Sequence, residues 1–204
     1  MGTDNPWLLS GTILAGALVA GWWRDDYRAA CQGTPHPRAF PGATPAGSRM
    51  LLVAAGGALI LLAAETAGEQ ALGLAAQQTR VTALFGLYTL MAAFLEELVF
   101  RGYLVVENRG RGALVTGMVV ASLGFALLHP FLWELTEGTF QMHGGAKAWF
   151  STGAVFAGSL WFYAVRFMPW NRSRSLLPCV AAHLVKNLGV LAVKYAQGCV
   201  SGWW

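Results

Sequence analysis

The sequence predicts an all-α fold, a polytopic bundle of about six transmembrane spans, on three observations. The 204-residue chain is 55% hydrophobic and only 12% charged, whereas a soluble domain carries about 25% charged residues. The apolar residues gather into segments near the length of about 20 residues that a bilayer crossing needs. The arginines between those segments fall on alternate connections, as the bias for positive charge on the cytoplasmic side requires. The length suits one domain, residues 1–204.

The segments lie at roughly 6–23, 50–64, 81–107, 112–133, 149–168 and 176–196. The first follows the leader "MGTDNP", which has no Lys or Arg. A signal peptide normally begins with positive charge, so this segment is read as a span. The loop at 24–49 is rich in Pro and Gly and reads as irregular surface structure. The second segment is short and is expected to borrow from the milder "ETAGEQALGLAAQQ" after it. The third is expected to end at Glu107 or Asn108.

With six spans, Arg24, Arg28, Arg38 and Arg49 share a side with Arg101, Arg109 and Arg111, and with Arg166, Arg172 and Arg174. The opposite side keeps Arg80, Lys147 and Lys194. The Arg-rich side is therefore expected to be cytoplasmic, with both termini on the other side.

The net charge of +4 does not gather into a basic stripe with aromatics between, so no nucleic-acid partner is expected. Cys31, Cys179 and Cys199 are odd in number and widely spaced, which argues against a disulfide framework or a zinc ribbon. No internal repeat is visible, and "NRS" at 171–173 falls in an expected cytoplasmic turn and is set aside as a glycosylation acceptor.

The stretch "AAFLEELVFRG" places Glu96, Glu97 and Arg101 in an apolar run. Charge inside a bilayer is costly and marks function. Glu97 and Arg101 are four apart, acid first, so they can neutralise each other on one helix face. Glu96 lies about 100° round the helix and is left as a free carboxylate. With the helix ending near residue 107, Glu96 is roughly 16 Å deep. "GFALLHP" puts Phe125 and His129 on one face of the fourth segment, with His129 roughly 18 Å deep. "AAHLVKN" puts His183 and Asn187 on one face of the last, at roughly 12 and 18 Å.

A carboxylate in low dielectric can act as general base toward water, and a neighbouring imidazole can position that water. A His and an Asn on one face can supply donors to an oxyanion. These parts suit a hydrolase with neither a nucleophilic side chain nor a metal. A zinc site from Glu96, His129 and His183 is the alternative; no H-E-x-x-H occurs.

The same residues resemble the CPBP family, the CAAX-protease and bacteriocin-processing intramembrane proteases. "EELVFR" is similar to its E-E-x-x-x-R motif, "FALLH" to F-x-x-x-H and "HLVKN" to H-x-x-x-N/D. The run "GAVFAGSLWFYAVRFMPWNRSRSLLPCVAAHLVKN" also resembles that family, and the resemblance covers about residues 85–195. It implies a glutamate-type intramembrane endopeptidase without a cofactor. Glu96 and His129 would activate water, and His183 and Asn187 would form the oxyanion site. Glu97, Arg101 and Phe125 would support them. Lys186, between the motif His and Asn, is read as snorkelling to an interface; contact with a substrate carboxylate is the other reading.

The expected substrate is a membrane-anchored protein or peptide cut near its C-terminus. Prenylated CAAX proteins, C-terminal sorting tails and bacteriocins are its three possible forms. The chain has fewer spans than the eukaryotic and archaeal CAAX proteases, which favours a bacterial processing role at the inner membrane. The rival class is a non-catalytic membrane protein, a bacteriocin self-immunity scaffold or a small proton-coupled transporter. A transporter would show repeated halves or broken helix pairs.

Overall fold

A computed structural model describes residues 5–136 and 138–204. Six helices carry the fold: α1 (Pro6–Cys31), α2 (Ser48–Ala71), α3 (Ala83–Glu97), α4 (Arg111–Leu128), α5 (Ala146–Phe167) and α6 (Leu177–Ala196). α3 runs on as a π-helical turn, Leu98–Tyr103. Each of the six is long and apolar enough to cross a membrane, so the chain is a multi-pass membrane protein. A short antiparallel hairpin, β1 (Trp133–Thr136) and β2 (Thr139–Met142), joins α4 to α5.

α1 starts where the Asn5 side chain accepts the N–H groups of Trp7 and Leu8, with Pro6 opening the first turn. It continues to Cys31, so Arg24 and Arg28 are helical and irregular backbone begins only at Gln32. The expected loop at 24–49 is corrected to that extent. The rest of the loop is docked on the bundle. Trp23 Nε1 donates to the Pro41 carbonyl at 3.3 Å, and Leu176 N donates to the Gly42 carbonyl at 2.9 Å. Gly42 has φ +66°, and a Cβ there would meet the Leu176 nitrogen at 2.8 Å. Only glycine serves at that approach.

α2 takes in "ETAGEQ" and so reaches spanning length. α3 is capped at its start by Thr82, whose hydroxyl accepts Phe85 N–H at 3.2 Å. The C-terminal tail folds back there. Ala83 and Leu84 donate to the carbonyls of Gly202 and Trp203 at 3.3 and 2.9 Å, filling donors that a helix start leaves unpaired.

Two segment ends differ from expectation. The third helix stops at Tyr103, not near residue 107, because α5 takes its last carbonyls. Tyr163 Oη donates to the Phe100 and Leu104 carbonyls, and Arg166 Nε donates to that of Arg101. The fourth stops at Leu128. Pro130 disfavours helical backbone at the residue before it, and His129 is extended at φ −75°, ψ 126°.

α2 packs on α6, α1 on α3 and α4 on α5; the contact of α3 with α6 joins the first two pairs, and contacts of α5 with α2 and α6 join the third. Small residues let the helices approach, as membrane bundles need. Ala54 and Ala58 are fully buried, and Trp161 reaches across to donate to the Ala54 carbonyl at 3.0 Å. Arg101 and Arg166, counted above among turn arginines, lie inside the bundle, 0% and 5% exposed. They are packing and pairing groups, not markers of sidedness.

Candidate active site

Three helices converge on the EELVFR stretch. Arg101 Nη1 donates to Glu97 Oε1 at 3.1 Å, with both side chains fully buried. Further hydrogen bonds offset part of the cost of burying such a pair. Arg101 Nη2 also donates to the Ser159 carbonyl at 3.2 Å and to the Ser159 hydroxyl, which in turn donates to Ser122. The guanidinium lies 4.6 Å from the Phe125 ring centre and 4.7 Å from that of Tyr163, a favourable arrangement for a desolvated cation. Phe125 thus supports Arg101 directly.

His183, six residues into α6, completes the group. Its Nδ1 donates to Glu97 Oε1 at 2.8 Å, and its ring stacks on Phe162 at 4.7 Å. That bond orients the ring and leaves Nε2 free of it. Nε2 lies 3.7 Å from Glu96 Oε2. Glu96 is 32% exposed, in contrast to its buried neighbour. Glu97 Oε2 has no hydrogen-bond partner among the described residues.

His129 comes from the cap of α4 rather than from its helical face, which corrects the reading of "FALLH" as one continuous turn. Its Nδ1 donates to the Phe125 carbonyl at 2.8 Å, so Nε2 is again the free nitrogen. The Phe125 ring sits between the two imidazoles, 4.7 Å from that of His129 and 6.1 Å from that of His183. The chain reversal after Leu128 therefore brings His129 to the cluster. Glu96 lies seven residues before the end of the π-turn, or roughly 10 Å inside at helical rise. The expected 16 Å assumed a longer helix.

Asn187 is half-buried and donates through Nδ2 to the Thr89 carbonyl at 3.0 Å. Its contact on α3 is thus two turns before Glu96. Lys186 does not snorkel. It is 8% exposed, and its Nζ lies 3.0 Å from Glu65 Oε2 on α2. Glu65 was not singled out by the sequence; its four-residue spacing from Glu69 on an apolar helix was the available signal. Ser122, Ser159 and Tyr163 were missed as well, since isolated hydroxyls in a span read as ordinary packing residues. Among the described residues no three His, Cys, Asp or Glu side chains meet as a metal-ligand set.

A multi-pass bundle with a carboxylate–imidazole cluster inside its spans marks a functional site within the membrane. The chain belongs to the type II CAAX prenyl endopeptidase Rce1-like family, whose model matches residues 78–189. That match covers all three motifs and supports protease activity of the CAAX type in general. No similarity to a curated protein or to a solved structure was found.

Proposed function

We propose that the protein is an endopeptidase that hydrolyses a peptide bond near the C-terminus of a membrane-anchored protein, using water and no metal or other cofactor. One observation carries this reading: of two adjacent carboxylates, Glu97 is consumed by Arg101 and His183, while Glu96 remains partly exposed beside His183 Nε2.

In this reading Glu96 is the general base. Water attacks the scissile carbonyl carbon as Glu96 takes its proton. His129, through its free Nε2, accepts a hydrogen bond from the same water and orients it. The carbonyl oxygen becomes an oxyanion. His183, held in place by the Nδ1 bond to Glu97, turns its Nε2 edge to that oxyanion. Asn187 has a second amide N–H to offer beyond the one on Thr89. Collapse of the intermediate breaks the C–N bond, and Glu96 returns its proton to the leaving amine. The products are a new carboxyl end and a released C-terminal peptide.

The protein would work in a bacterial inner membrane with the Arg38, Arg109 and Arg172 connections in the cytoplasm. The test is a search for released C-terminal peptides by mass spectrometry. Membranes carrying the wild-type chain should yield peptides that Glu96→Gln membranes lack. Identical peptide sets would reject the reading.

A further inference from the structure

A second polar group lies away from the catalytic cluster, where α2 and α6 end and α5 begins. It surrounds a cavity of about 410 Å³. The walls are apolar, with Leu62, Val155, Val190 and Val193, and the polar lining includes Glu69, Gln78, Lys147 and Lys194. The cations there are not evenly matched. Glu69 takes Lys147 as an ion-pair partner and accepts from Gln78. Glu65, also on the lining, is paired with Lys186. Lys194 is held only by neutral oxygens, Gln78 Oε1 at 3.0 Å and the Thr79 carbonyl at 2.7 Å, and has no carboxylate partner among the described residues. An apolar cavity with one uncompensated ammonium suits an apolar ligand that ends in a carboxylate.

Two lining residues connect the cavity to the catalytic cluster. Phe131 on its lining stacks against the His129 ring at 6.0 Å. Glu65 on its lining holds Lys186, the neighbour of Asn187. We infer that this cavity receives the substrate segment beyond the scissile bond and that Lys194 binds that segment's free C-terminal carboxylate. The inference rests on the peptidase reading and adds a specificity site to it. His183 and Lys194 are eleven residues apart on α6, roughly 16 Å at helical rise. An extended peptide covers about 3.3–3.6 Å per residue, so the cut falls about four or five residues from the end. A peptide is favoured over a fatty acid because the carboxamide of Gln77 on the lining can pair with peptide groups.

The test measures binding, which needs no turnover. The probe is acetyl-Val-Leu-Ala-Val as free acid and as C-terminal amide, titrated into the full chain in detergent. The acid should bind at least about tenfold more tightly than the amide. Lys194→Met should abolish that preference and Lys194→Arg should keep it, with unchanged melting of both variants showing that the fold is intact. Equal binding of acid and amide, no binding of either, or an acid preference that survives Lys194→Met would overturn the inference. So would laurate binding that depends on Lys194 while the peptide acid does not bind, since the cavity would then be a lipid site. A cleavage assay separates this from the peptidase reading. Loss of cleavage in Glu96→Gln with no acid preference removes the cavity assignment alone. Acid preference with full cleavage by Glu96→Gln removes the catalytic assignment alone.

Discussion

His183 bridges both members of the adjacent carboxylate pair, with Nδ1 2.8 Å from Glu97 Oε1 and Nε2 3.7 Å from Glu96 Oε2. The two glutamates are neighbours in sequence but differ in surroundings. Glu97 is sealed in with Arg101, while Glu96 is partly exposed. Helix geometry creates the difference, because a step of one residue turns a side chain about 100° away.

Replacing Glu97 by Gln should therefore act first on stability. It leaves the buried Arg101 without its counter-charge, at a cost of about 3–5 kcal/mol. Thermal melting in detergent should drop well below wild type, and Arg101→Met should do the same. A Glu97→Gln protein with wild-type melting would remove the structural part of this assignment.

The Lys186–Glu65 pair predicts a non-additive cycle. Lys186→Met alone strands Glu65 and should cost about 3 kcal/mol or more. Adding Glu65→Leu should recover most of that loss, since it removes the stranded charge. Melting of the two single variants and the double variant gives the coupling. Additive losses would mean that the pair is not formed in the membrane.

Much of this arrangement was legible in the chain. The six spans followed from apolar length, and the Glu97–Arg101 contact followed from a four-residue spacing. Pro130 marked the end of α4, although the helix was read through it. The end of α3 was not legible, because it depends on Tyr163 and Arg166 reaching across from α5. Arg101 and Arg166 look like loop arginines in sequence, and only the bundle shows them inside. Lys186 was misread for the same reason: its partner Glu65 is four helices away in chain order and carries no motif. The hairpin between α4 and α5 is short and mostly exposed, and its sequence blends with the apolar run before it.

Sidedness can be read with reporter fusions. Fusions after Arg38, Arg109 and Arg172 should report cytoplasm, and fusions after Gly73 and Gly144 should report the opposite side. A cytoplasmic signal at Gly144 would break the alternation of α4 and α5 across the membrane.

Metal removal separates water-only chemistry from zinc chemistry. Protein purified without added metal should contain well under one equivalent of zinc, on the order of a trace, and prolonged chelation should leave peptide release intact. Stoichiometric zinc whose removal stops release and whose return restores it would overturn the metal-free mechanism while leaving the fold unchanged.

The central claim is that Glu96 is the general base, and turnover by Glu96→Gln tests it most directly. General-base catalysis contributes about 10²–10⁴-fold, so release of the C-terminal peptide should fall by at least about 10²-fold. Melting and membrane insertion should stay at wild-type values, because Glu96 is partly exposed and the Glu97–Arg101–His183 contacts do not depend on it. Full turnover by a folded Glu96→Gln protein would contradict the account.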